Sequence, residues 1–431
     1  VINKMSLKNG ILKLSIHDIC ILLFLGSLII SPIVLILYIG LLFLTYRKGI
    51  VGAIESLIIV TFRGILSTAV SANVGSFSII KLGLIFLLSL YIIYNSLEIN
   101  KINRFRLIIL SSLIFCVYSI IASFITGSYP ISSTFKIISF FITFVAIING
   151  AYKTRNKMDW LRYLYNWLTT LMIISFFLMP FKQFRIINDN FQGVFNHVNV
   201  MGVMGAIYVS VLLIKKENSI FDNRFVINLL IIMTLIMQYY TASRTGMIIS
   251  CICILINFIL HISVKKIIYL SIPLLTCLCI YTTNDTIYTR VNNEIYSFIY
   301  KGNQNDILAS RRDVQKNNQI KYENNELFGS GFMMPFEKEK KDFSLNMNAV
   351  YEPGNLVWML LGDTGQIGIL LFSIFVLLLV IGGKFKNIIL IIASFGICFG
   401  EMIFFSVNNF SIIVYLILSI YLKITDGGDE K

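Results

Sequence analysis

Apolar runs of close to 20 residues recur along the chain from residue 16 to residue 422, parted by short polar turns. That is the length at which an α-helix crosses the hydrocarbon core of a bilayer. The runs fall at about 16–31, 33–46, 52–72, 77–96, 105–126, 133–151, 160–180, 198–214, 225–242, 245–262, 266–283, 355–381, 387–405 and 409–422. Ser31-Pro32 divides the first two, because proline interrupts the backbone ladder of a continuous helix. The run at 52–72 holds Glu55 and Arg63 and either crosses or lies partly in the interface, so 13 or 14 apolar segments are expected. One long polar stretch, 284–354, breaks the pattern, with residues 1–283 before it and 355–431 after it. Inside it, 286–300 has the spacing of an amphipathic surface helix. The predicted fold is all-α: a polytopic transmembrane helical bundle with one large extracytoplasmic loop containing short helices.

Composition sharpens this picture and excludes others. Of 431 residues 57% are hydrophobic and only 13% charged, with a mean hydropathy of +0.80; so few charges could not cover a soluble domain. The formal charge of +14 resides mostly in short loops. Lys101, Arg104 and Arg106, then Lys153, Arg155 and Lys157, then Lys215, Lys216 and Arg224, Lys265 and Lys266, and Lys384 and Lys386 occupy alternate connections. The positive-inside rule makes that face cytoplasmic. The opposite face then receives 127–132, 181–197, the turn near Ser243 and the 284–354 loop, provided the 52–72 run crosses. Residues 284–354 carry nine Lys or Arg against ten Asp or Glu, which is no basic arm for nucleic acid. All seven cysteines lie in apolar runs, and the two Cys-Ile-Cys pairs place their thiols on different helix faces, so no metal site is expected there. Val1 to Lys13 is basic without a small-residue cleavage site, and no signal peptide is expected.

Four polar clusters face the non-basic side: Gly193-Val194-Phe195-Asn196-His197-Val198-Asn199, Thr241-Ala242-Ser243-Arg244-Thr245-Gly246, Ser310-Arg311-Arg312 with Gly329-Ser330-Gly331 after it, and Glu352-Pro353-Gly354-Asn355 leading into Asp363, Gly365 and Gly368. An arginine in a membrane helix costs roughly 2.5–3.5 kcal/mol at the centre and less near the interface, and Arg244 lies where topology does not call for positive charge. It is either a snorkelling arginine, a partner for Asp363, or a phosphate clamp, since guanidinium matches phosphate oxygens in a bidentate fork. Arg185, Arg290, Arg311 and Arg312 are further cations for the same role, or solvated surface charges. His197 is a candidate base or a helix-cap neighbour. Asn199 and Asn355 are candidates to position substrate or to cap helices. Glu352, at the membrane mouth, is a candidate general base or a solvated loop carboxylate. No phosphate-cradling Gly-rich loop, serine nucleophile elbow or clustered aspartates for Mg²⁺ occur, so a metal-independent, cofactor-free reaction is expected.

At these clusters the chain resembles the O-antigen polymerase and O-antigen ligase superfamily of membrane glycosyltransferases, over about residues 193–368. Gly193 to Asn199 is similar to the family's Gly-x-Phe-x-x-x-Asn helix entrance, and Ser243-Arg244-Thr245-Gly246 to its Ser-Arg-Thr/Ser-Gly turn. Ser310-Arg311 and Leu327-Phe328-Gly329-Ser330-Gly331 resemble its Arg-containing helix and Leu-Phe-Gly-x-Gly. Asn355, Leu361, Asp363, Gly365 and Gly368 follow its last motif, but Gly354 stands where ligases carry histidine, which favours the polymerase branch. The resemblance implies a bacterial inner-membrane protein acting on an undecaprenyl-pyrophosphate-linked glycan as donor and acceptor, with arginines on the pyrophosphate. It also allows a separate chain-length regulator as partner. A ligase passing glycan to lipid A core and a lipid-linked oligosaccharide transporter are the alternatives. A transporter would show broken helices and internal repeats, and the sequence pattern displays neither.

Overall fold

A computed structural model describes residues 15–67, 70, 77–96, 103–186, 190–218, 224–261, 281–282, 285–300, 312–339, 341–345, 351, 353–407 and 410–423. These form helices α1 (Ile16–Ile29), α2 (Ile33–Lys48), α3 (Ile50–Ile65), α4 (Ser78–Ser96), α5 (Asn103–Thr126), α6 (Pro130–Lys153) and α7 (Trp160–Leu178). A two-residue hairpin, β1 (Arg185–Ile186) and β2 (Asn190–Phe191), precedes α8 (Val198–Asn218), α9 (Arg224–Tyr240), α10 (Arg244–Leu260), α11 (Asp285–Tyr300) and α12 (Arg312–Asn324). The chain ends in α13 (Leu356–Gly382), α14 (Ile388–Gly396) and α15 (Ser411–Lys423). Among the described residues six helices are long and apolar enough to cross a membrane. The architecture is thus the expected all-α polytopic bundle. The expected span at 266–283 lies mostly outside the described residues.

Local chemistry sets the helix ends. Ser15 and Asp18 form a reciprocal capping box at the start of α1, and Pro32 opens α2. Between α2 and α3 Gly49 takes φ +59, a left-handed turn that favours glycine. The exposed residues Leu370, Ile374, Leu377 and Ile381 make a helical stripe along α13, an outward face suited to lipid.

Inside this shell α3, α8 and α15 are buried along nearly their whole length. The run at 52–72, ambiguous from sequence, becomes the 16-residue α3 at the bundle centre. Its two charges are satisfied locally: Glu55 pairs with Lys48 at 2.9 Å, and Arg63 donates to the hydroxyl and carbonyl of Ser27 at 3.0 and 2.9 Å. Packing explains why a charged helix can sit there.

The run at 387–405 is not one span. Helix α14 and a following 3₁₀ turn stop at Phe399, and the chain is unwound from Gly400 to Val407. Phe404 and Phe405 anchor the unwound stretch among Phe115, Phe140, Phe372, Phe395 and Tyr415, with ring centroids 4.8–5.9 Å apart; the Tyr415 hydroxyl donates to the Phe404 carbonyl. Irregular backbone inside a membrane protein persists only where protein or a cavity surrounds it.

A second break lies in α13, where Gly365 has φ +66. The Leu327–Gly331 turn fills it. Ser330 N–H and Gly331 N–H donate to the carbonyls of Gly362 and Asp363 at 2.9 and 3.2 Å, while Gln366 N–H donates to Glu326 at 2.8 Å. A Cβ on Gly329 would lie 2.4 Å from the Asp363 carbonyl carbon, and one on Gly365 would lie 2.3 Å from the Leu327 oxygen. Two of the sequence clusters therefore interlock backbone to backbone, and their glycines are steric requirements. Broken helices, unseen in the sequence pattern, are part of this fold.

Candidate functional site

At one end of the bundle the ends of α3, α4, α8 and α13, the unwound 400–407 segment and Phe410 surround a cavity of about 600 Å³. The ends carrying Lys48, Lys153 and Lys215 lie at the other. The entrance to α8 is pinned to the end of α3, because Asn196 N–H donates to the Ile65 carbonyl at 2.9 Å and Ser67 N–H to the Val194 carbonyl at 2.8 Å. Gly193, at φ +60, passes so close to Ser175 that a Cβ would lie 2.7 Å from its hydroxyl.

This anchoring turns Asn196, His197 and Asn199 into the cavity. His197 Nδ1 accepts the Asn199 backbone N–H at 3.1 Å, so its neutral form carries the proton on Nε2 and can donate from there. The lone pair a base would use is already engaged in capping the helix. The Asn199 side chain donates to Glu401 Oε1 at 2.6 Å. Glu401 is half-buried and stands at the start of the unwound segment, beside Met402 and Ile403 in the lining.

From the facing side comes Lys81, 9% exposed on α4. Its Nζ lies 2.9 Å from where a Cβ on Gly64 would stand, so a side chain there would push it aside. The polar loop contributes Met333, Tyr351, Pro353 and Gly354.

A buried polar knot holds that loop in place. The Lys321 ammonium pairs with the Asp363 carboxylate, both essentially inaccessible, and also donates to the carbonyls of Gly331 and Met334 at 3.1 and 2.9 Å. Asp363 Oδ2 accepts the Met333 N–H at 2.7 Å, and Lys136 donates to the Met333 carbonyl at 2.6 Å. That double grip keeps Met333 at φ +50, which few non-glycine residues adopt. Tyr351 stacks its ring 4.5 Å from the Lys321 ammonium and donates to Asn318, whose amide donates to the Pro353 carbonyl at 2.8 Å. Burial lowers the Lys321 pKa, with Asp363 opposing. Burial first, then Asp363, raises the Tyr351 phenol well above its ordinary value, so it serves as a hydrogen-bond donor and not as a base.

The sequence candidates are distributed unevenly about this cavity. His197 and Asn199 line it. Asn355 caps α13, accepting from Val357 and Trp358 N–H at 2.8 and 3.3 Å and donating to the Phe399 carbonyl at 3.2 Å. Arg244 is the half-buried first residue of α10 and is not in the lining. Its pairing with Asp363, one of the readings open from sequence, is replaced by Lys321, which is buried against that carboxylate. The neighbours of Arg244 serve packing: a Cβ on Gly202 would meet Ser243, and one on Gly400, beside Glu401, would meet Thr245. Arg290 and Arg312 are exposed on α11 and α12. Glu352, Arg311 and the Arg185 side chain lie outside the described residues, although Tyr351 and Pro353 on either side of Glu352 line the cavity.

Sequence reasoning missed Lys81, Glu401, Lys321 and Lys136. Lys81 and Glu401 each interrupt an apolar run, and an ionisable residue inside such a run is a functional signal by itself. Lys321 sat unremarked in a polar helix. Together Lys81 and Glu401 give one cavity a cation able to meet a phosphate and a carboxylate able to take a proton. No protein-family model matches the chain, and no curated protein matches it.

Proposed function

We propose that the chain is a membrane glycosyltransferase that joins undecaprenyl-pyrophosphate-linked oligosaccharide units into a surface polysaccharide, at the 600 Å³ cavity, on the extracytoplasmic side of a bacterial inner membrane. The observation that carries this reading is the convergence of Asn196, His197, Asn199, Lys81 and Glu401 with the loop residues Tyr351 and Gly354 around one cavity. A hydroxyl of one lipid-linked unit attacks the anomeric carbon of another. The new C–O bond forms as the bond from that carbon to the pyrophosphate oxygen breaks, with inversion, and undecaprenyl pyrophosphate leaves. Glu401 takes the proton of the attacking hydroxyl. Lys81, in the lining, offsets charge growing on the pyrophosphate, and Arg244, at the start of α10 outside the lining, adds to the same field; fixed electrostatic stabilisation of this kind is usually the largest share of such catalysis. His197 Nε2–H and Asn196 orient the sugar. Purified protein given lipid-linked repeat units in detergent should convert them into a ladder of longer lipid-linked products.

The second reading, a transporter of lipid-linked oligosaccharide, draws support from the unwound 400–407 segment at the cavity, since transporters place broken helices at their binding sites. In reconstituted vesicles a transporter leaves the units unchanged and alters only their sidedness.

A further inference from the structure

The basic end of the bundle carries a second recess, of about 790 Å³, between α8, α9 and α10. Its wall is apolar, built from Ile231, Ile232, Ile254 and Phe258. Its rim is ionic. Lys216 and Arg224 supply the positive charge, Lys216 leaning on Asn228 at 2.8 Å, while the Glu217 carboxylate is occupied by His261 at 3.5 Å. Between rim and wall lies Asn257, 8% exposed, whose Oδ1 has no hydrogen-bond partner among the described residues. Buried amide oxygens are ordinarily satisfied, so this one calls for a ligand that brings an O–H or N–H to it.

The apolar wall continues onto the outside of the bundle. Ile232 both lines the recess and is 54% exposed, next to the exposed Leu229 on the same helix. An occupant can therefore lie partly in the recess and partly among membrane lipids, which a free phosphate cannot. Basic recesses between membrane helices are suited to lipid headgroups.

We infer that this recess binds an anionic glycerophospholipid with a hydroxylated headgroup. Its phosphodiester sits by Lys216 and Arg224, a headgroup hydroxyl donates to Asn257 Oδ1, and one acyl chain follows Ile231, Ile254 and Phe258. The inference is independent of the glycan chemistry at the other end.

Native mass spectrometry of the purified full-length chain, titrated with phosphatidylglycerol, phosphatidylmethanol, phosphatidylethanolamine or phosphatidylcholine, tests it. Wild type should retain phosphatidylglycerol roughly thirtyfold better than phosphatidylcholine, the preference two basic residues provide near a headgroup. The double variant Lys216→Gln, Arg224→Gln should lose that preference. Phosphatidylmethanol has the same charge and no headgroup hydroxyl; wild type should bind it more weakly than phosphatidylglycerol, and Asn257→Leu should bind the two equally. Equal retention of phosphatidylglycerol and phosphatidylcholine by wild type overturns the proposal, and needs no variant to fold. So do a preference for phosphatidylethanolamine, a preference that survives in the double variant, equal binding of the two anionic lipids by wild type, and displacement of the lipid by free glycerol phosphate.

Discussion

Replacing Lys321 with methionine strands the Asp363 carboxylate in a site where neither partner is more than 1% exposed. Removing one member of a buried ion pair costs about 3–5 kcal/mol, because the remaining charge is left without compensation. The same substitution takes the donor from the Gly331 and Met334 carbonyls. The loss falls on the seam between α12, the Leu327–Gly331 turn and the break in α13, and so appears as local opening before global unfolding. At about 1.4 kcal/mol per tenfold, local exchange should accelerate about 10²–10⁴-fold. Hydrogen exchange read by mass spectrometry on the purified protein should show this in peptides covering 318–334 and 359–367, with α7 unchanged. A double variant, Lys321→Met with Asp363→Leu, should recover only part of the protection. The Met333 N–H that donated to Asp363 then lacks an acceptor, a residual cost of about 1–3 kcal/mol. Unchanged exchange in Lys321→Met would refute the view that this pair clamps the loop to the bundle.

Further outcomes follow from the same geometry. Gly365→Ala forces a Cβ into the Leu327 carbonyl at a left-handed position; with overpacking costs of about 1–3 kcal/mol and backbone strain of similar size, it should lower the thermal unfolding midpoint in detergent. Gly202→Ala meets the Ser243 side chain and should loosen α8 against α10, read as faster exchange at 198–206. Arg244→Ala should abolish polymer while protein remains in the membrane fraction; normal chain length in that variant removes Arg244 from the pyrophosphate clamp.

Much of the fold was readable because a bilayer imposes one repeating demand, and most of the apolar runs that lie within the described residues are helices. The reading failed where a run met the length and still broke. Residues 387–405 are apolar throughout apart from Asn387, Ser394 and Glu401, yet aromatic anchors supplied by four other stretches of chain hold Phe404 and Phe405 out of a helix. Hydropathy does not encode such long-range contacts. The polar clusters were visible, but what each does was not. Gly329, Gly331 and Gly365 turned out to stitch a loop into a helix break, Ser243 and Gly246 to let two helices touch, and Asn355 to cap α13. Of the first cluster, Asn196, His197 and Asn199 reach the cavity. Its charged members, Lys81 and Glu401, come from α4 and the unwound segment, 320 positions apart (401 − 81), and only tertiary structure brings such residues together.

Glycosyl transfer is proposed to happen where Glu401 meets Asn199. Glutamine at 401 keeps an oxygen to accept the Asn199 amide and removes the carboxylate's charge and its ability to take a proton. The decisive measurement compares polymer formed from purified lipid-linked repeat units by wild type and by Glu401→Gln, with hydrogen exchange confirming the same fold. Wild type should build a ladder and the variant should be slower by about 10²–10⁴-fold, the usual contribution of a positioned base. Ladders of equal rate from both proteins would contradict it.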